Sequence, residues 1–192
     1  MRYLPGVSFD RVSAEELSTR NAYRLMTDLI APRPIAWVST RSASGERNLA
    51  PYSYFQAVCS TPPTVILGMG RRPEGGPKDS LRNILETQRF TVCHVNRGET
   101  ELMNASSAAY PPGADEGAAL GLEMVDEEGL FAPRTPGCNA ALACVLQHVI
   151  PLGPGAGRGN PASTTLVIAR VEAFYLREGL ITRNEKGHLR PI

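Results

Sequence analysis

The chain has 192 residues, 42% hydrophobic and 20% charged, with a net charge of +1. Those figures suit one globular domain over 1–192, with residues 1–30 as a helical lead-in, and exclude a disordered chain. The near-neutral balance and lack of a Lys/Arg run argue against nucleic-acid binding, and no run of 18 apolar residues argues for a membrane span.

The first residues, MRYLPGVSFDRVSAEE, lack an apolar leader core, and the four cysteines form no C-x-x-C. We therefore expect a cytoplasmic protein with reduced thiols and no metal centre. Ser13 and Glu16 have capping-box spacing, and Tyr23, Met26 and Ile30 recur at helical intervals. A helix or two is expected over 13–30, stopped by Pro32 and Pro34. Arg33, between those prolines, can pair with a phosphate or with a nearby carboxylate.

IAWVST (35–40) reads as a strand and RSASGER as its turn. NLAPYSYFQAVCS follows as an irregular strand, with the break expected at Pro51. TPP turns the chain into the apolar strand 64–70, and RRPEGGPK reads as a loop. A short helix opens at Asp79–Ser80, with Leu81, Ile84 and Leu85 facing inward, and ends near Gln88. RFTVCHVN (89–96) is a further strand, then a helix over 99–108 and an excursion through 110–117. Asp126, Glu127 and Glu128 read as a solvated turn. Two long strands, 138–152 and 163–176, flank a glycine-rich loop at 153–162, and Gly179 begins a last turn. Strands outnumber helices and do not alternate with them, so the expected fold is mainly β, a closed or nearly closed antiparallel barrel with inserted helices.

The chain carries no P-loop, no nucleophile elbow and no HExxH. GAGRGN (155–160) precedes a strand instead of opening a helix, so it is read as a hairpin connection. His94 and His148 lie in apolar strands. No catalytic residue is assigned, and any redox chemistry would come from a cofactor.

The polar candidates cluster in three places. Lys78, Asp79 and Ser80 combine a helix start with a cation and a hydroxyl, which suits a terminal phosphate or an ordinary cap. Ser39 and Thr40 end the strand that holds Trp37; they can reach a phosphate or sugar, or simply end a strand. In Asn48, Leu49, Ala50, Pro51, Tyr52, Ser53 and Tyr54, a proline frees backbone groups beside planar side chains. That combination suits the edge of a flat heteroaromatic ring, or a bulged core strand.

PRPIAWVST (32–40), NLAPYSYF (48–55), STPP (60–63) and KDSLRNILET (78–87) follow one another in an order that resembles the flavin reductase-like, FMN-binding split-barrel family, which includes flavoredoxin-like proteins. The resemblance runs from about residue 18 to 190. It implies a split β-barrel with Greek-key character, a homodimer, and FMN near the subunit interface. Lys78, Asp79 and Ser80 would then lie at the FMN phosphate and Ser39 and Thr40 near phosphate or ribityl. Trp37 and Asn48 to Tyr54 would line the isoalloxazine. The implied activity is an NAD(P)H-dependent flavin reductase, or alternatively an FMN electron carrier reduced by a partner. Many members carry a histidine late in the last long strand where Tyr175 stands here, so no role is carried over for it.

Overall fold

The structure is a computed structural model that describes residues 8–72, 74–154 and 162–191. Most of the glycine-rich connection between the two long strands lies outside them. The chain divides into two compact units, 1–33 and 34–192.

In the first unit, residues 14–16 make one 3-10 turn, and helix α1 covers Thr19–Leu29. The expected capping box does not form, because Ser13 makes no side-chain cap bond. Ser18 caps α1 instead, accepting the Asn21 N–H at 3.3 Å.

The second unit is a seven-stranded antiparallel sheet. Its strands are β1 (Ala36–Arg41), β2 (Arg47–Tyr52), β3 (Phe55–Ser60), β4 (Pro63–Gly70), β5 (Arg89–His94), β6 (Ala140–Leu152) and β7 (Thr164–Leu176). Their order across the sheet is β2-β1-β5-β6-β7-β4-β3. The outermost strands, β2 and β3, are consecutive in the chain and joined only by Ser53 and Tyr54. From Tyr52 to Phe55 the backbone can span at most about 11 Å. The two ends of the sheet therefore approach each other, and the sheet is rolled into a barrel.

The break expected at Pro51 lies two residues later. Pro51 stands in register opposite Trp37, and Tyr52 opposite Ala36. β2 is an edge strand, so the missing N–H of Pro51 costs no ladder bond on its open side. The kink is at Ser53–Tyr54, where the Tyr54 carbonyl accepts the Gly68 N–H at 2.8 Å. A Cβ on Gly68 would lie 3.0 Å from that of Tyr54, so glycine lets the kink seat against β4.

Alternation along the strands splits the apolar residues into two clusters. Ala36, Val38, Tyr52, Leu67, Phe90, Val92 and Val167 fill the barrel. Trp37, Leu49, Cys93, Cys138 and Ala141 pack on the opposite face. Helix α2 (Asp79–Thr87) buries Leu81 and Ile84 and ends at Gln88, whose φ is 63°. Helix α3 (Thr100–Ala105) and the short α4 (Glu116–Ala119) follow β5; the excursion through 110–117 thus leads into a helical turn. A hairpin of β8 (Ile181–Arg183) and β9 (Leu189–Pro191) follows the turn at Gly179, which the sequence reading did not anticipate.

Asp126 and Glu128 are exposed, as a solvated turn requires, and the turn also carries ion pairs. Asp126 sits 2.6 Å from both Arg41 and Arg47, and Glu127 is 2.9 Å from Arg134.

Candidate functional site

A cleft of about 510 Å³ opens between β2, the start of α2 and the segment 106–112. That is within the size range of small-molecule sites. Asn48, Ala50, Pro51 and Tyr52 line one side, and Lys78, Asp79 and Ser80 the other. Arg71, Arg72, Glu74, Ser106, Ser107, Tyr110 and Glu116 complete the wall. The fold thus places seven of the candidate residues on one cleft.

Two side-chain bonds dock the helix on the strands. Asn48 Nδ2 donates to Ser80 Oγ at 3.3 Å, and Asn83 Nδ2 donates to Thr40 Oγ1 at 3.0 Å. Thr40 is therefore committed to holding α2 and does not face the cleft. Ser39, 1% exposed, points to the other sheet face with Trp37. Trp37 itself is fully buried and cannot wall a ligand; its Nε1 donates to Ser106 Oγ at 2.9 Å. It acts on the cleft only through that serine. Leu49 packs beside Trp37, and Ser53 and Tyr54 form the kink. These six residues stand behind or beside the cleft wall.

The first turn of α2 is electropositive. Its N-cap, Lys78, supplies no side-chain cap bond, so the first-turn N–H groups are left to an outside acceptor. Lys78 Nζ lies 5.5 Å from the centre of the Tyr52 ring, a cation–π distance. Burial pushes the Tyr52 phenol up to about 12, so it stays neutral. Asp79, 4% exposed, accepts from Arg72 and from the Gly113 N–H at 3.2 Å, and pairs with Arg82 at 2.6 Å. Two arginines pair with its charge, and it holds Arg72 at the cleft wall.

Glu116 caps the open edge of β2, accepting the Leu49 N–H at 2.8 Å. Burial raises its pKa, against the lowering effect of that hydrogen bond. Glu74 is mostly exposed and sits 3.5 Å from Arg72. Every carboxylate on the cleft thus has a donor, while Arg71 and Lys78 have no ion-pair partner among the described residues. The cleft offers an anion two cations, a helix start and the Ser80 hydroxyl.

The sequence reading left out Arg71, Arg72 and Glu116. The first two had a signal, adjacent arginines at the end of an apolar strand. Glu116 had none, because its partner Leu49 is 67 residues away.

Residues 29–190 match the flavin reductase like domain, and the chain belongs to that family. An uncharacterized protein of Halalkalibacterium halodurans is 34% identical over 95% of this chain and 87% of its own length. The structure of nitrilotriacetate monooxygenase component B from Bacillus cereus is 30% identical, covers 96% of this chain and 88% of that one, and superposes with a TM-score of 0.84. That of 2-nitrobenzoate 2-nitroreductase from Pseudomonas fluorescens is 26% identical over 94% of this chain and 83% of its own, with a TM-score of 0.78. The barrel is accordingly the split barrel of flavin reductases.

Proposed function

We propose that this protein is an FMN-binding oxidoreductase that passes hydride from NADH or NADPH to FMN and electrons on to an acceptor. The observation that carries the reading is the single cleft shared by the edge strand β2 and the cationic start of α2. The donor set fits the group. Lys78, Arg71, Ser80 and the first-turn N–H groups of α2 would hold its phosphate. Asn48, Ala50, Pro51 and Tyr52 would meet the ring edge, where an edge strand has backbone groups to spare. Asp79 would hold Arg72 in place and not touch the anion.

When bound, FMN supplies the hydride acceptor and the one- or two-electron donor. The chain's own part is to bind, orient and exclude water. Tyr52 stays protonated beside Lys78, so it adds no negative charge against the anion. The names of two relatives, a monooxygenase component and a nitroreductase, both fit a protein that hands reducing equivalents to an oxidised acceptor. We place it in a reducing cytoplasm, consistent with four unpaired cysteines, and as a homodimer, as the family resemblance implies.

Reconstitution with FMN tests the reading. The expected result is a yellow protein that NADH or NADPH bleaches without oxygen. A protein that stays colourless after saturation with FMN refutes it. A yellow protein that neither nicotinamide reduces would be an FMN carrier served by a partner. Light scattering of the purified protein tests the dimer, which a monomeric mass would exclude.

A further inference from the structure

Outside the cleft, the second apolar cluster contains two thiols. Cys93 is fully buried on β5, and Cys138 precedes β6. Both belong to one buried cluster, and the Cys138 N–H turns back onto the Thr135 carbonyl at 3.5 Å. The Thr135 N–H donates to Cys93 Sγ at 3.4 Å, so the loop carrying Cys138 is folded down over Cys93. Gly137 makes that close approach possible, since a Cβ there would meet Glu99 Oε1 at 2.7 Å. Cys138 is not sealed in. It lines a separate cavity of about 540 Å³ with Arg134, Gly137, Asn139, Tyr175 and Arg177. One cysteine thus borders a solvent-sized space, and the other is fully buried in the same cluster.

We propose that Cys138 and Cys93 form an oxidisable dithiol, in which Cys138 reacts with a hydroperoxide that enters the cavity and Cys93 resolves the product to a disulfide. In the first step the Cys138 thiolate forms an S–O bond as the peroxide O–O bond breaks, and the hydroxide released takes up a proton to leave as water. Cys138 is oxidised by two electrons to a sulfenic acid, and the peroxide is reduced. In the second step the Cys93 sulfur forms the S–S bond, the S–O bond breaks, and water leaves with the Cys93 proton. The net change is two thiols and one hydroperoxide to one disulfide, water and, for an alkyl hydroperoxide, the alcohol.

The electrostatics favour this order. The hydrogen bond from Cys93, then Thr135 and Arg134, lowers Cys138 to about 7 against the opposing effect of burial, while the same bond and burial raise Cys93. Glu99 opposes the shift at Cys138 but does not cancel it. Cys138 is therefore the attacking thiolate and Cys93 the proton-bearing partner. The remaining thiols have neither feature. Cys59 is exposed with no thiol partner, and Cys144 is buried, which pushes it up to about 12. The chain's single tryptophan, Trp37, packs in the same cluster as the pair and reports on it. The site is independent of whether the cleft holds a flavin.

The experiment is hydrogen peroxide treatment of the whole reduced protein, read by thiol count, intact mass, peptide mapping and Trp37 emission. Two of the four thiols should disappear with loss of two hydrogens. The Cys93 and Cys138 peptides should be linked, reversibly by dithiothreitol, and the emission should change in step. Cys138→Ser should slow peroxide consumption at least about tenfold, because only the activated thiol reacts fast. Cys93→Ala should stop at a Cys138 sulfenic acid that dimedone traps. If Cys93→Ala does not fold, the wild-type map decides alone: the cross-link supports the proposal and its absence overturns it. Oxidation of Cys59 while Cys138 keeps its thiol, or a sulfinic Cys138 beside an intact Cys93, also overturns it.

Discussion

Replacing Asp79 by asparagine is expected to destabilise the barrel strongly, although Asp79 is not itself a ligand contact in our reading. Asp79 is 4% exposed and joins three groups: Arg72, Arg82 and the Gly113 N–H. The Arg72 side chain is only 17% exposed, so that pair counts as nearly buried, and breaking such a pair costs about 3–5 kcal/mol. Arg82 is 45% exposed, and its pair contributes at most about 1 kcal/mol. Asparagine keeps the oxygen that accepts from Gly113, and Glu74 partly compensates Arg72 from 3.5 Å. The expected net loss is about 3 kcal/mol, which for a chain of this size lowers Tm by roughly 6–12 °C. Differential scanning calorimetry of the two proteins at low salt measures it. A Tm within about 2 °C of wild type would mean that Arg72 finds another partner and that Asp79 does not organise the helix start.

Lys78→Ala should weaken FMN binding by about 1–3 kcal/mol, or roughly 5- to 150-fold, in a flavin fluorescence titration. Unchanged affinity would remove the phosphate assignment. Gly68→Ala should cost about 1–3 kcal/mol by overpacking against the Tyr54 kink, measured by urea denaturation, and an unchanged midpoint would show that the kink yields freely. Alkylation of Cys138 by iodoacetamide should rise with pH and level off above its pKa of about 7. The sign follows from the thiolate being the nucleophile: a lowered pKa moves the rise toward neutral pH. A midpoint near the ordinary thiol value would mean that Cys93 and Arg134 do not act on it. Pro51→Val should leave Tm unchanged, because the β1–β2 register runs through Pro51 without a break.

The strands were readable where a β-branched or apolar run was bounded by proline or glycine, as at 64–70 and 163–176. The helix at 79–87 was readable from its stripe of Leu81 and Ile84, although Leu85, expected to face inward, is exposed. What misled was local evidence for features that long-range packing decides. Pro51 looked like a break, yet an edge strand tolerates proline, and the true kink needed Gly68 on another strand to receive it. The family resemblance set Trp37 beside a planar ring, but alternation along β1 turns it into the core, away from the cleft. Ser39 and Thr40 share a strand end yet face opposite sides for the same reason. Lys78 and Ser80 were marked by the helix start itself, whereas Glu116 depended on a contact that no local pattern records. That Cys93 and Cys138 share one cluster was equally hidden, because it depends on how the loop before β6 folds over β5.

The order of strands in the barrel has a consequence for how the chain is made. Thr64 on β4 pairs with Arg170 on β7, which is 170 − 64 = 106 residues further on. The β3–β4 hairpin leaves the ribosome long before its neighbour exists, with one row of backbone donors and acceptors still open. Completion of the sheet must wait for translation to reach β7, so the β4 edge stays unpaired until that strand has emerged.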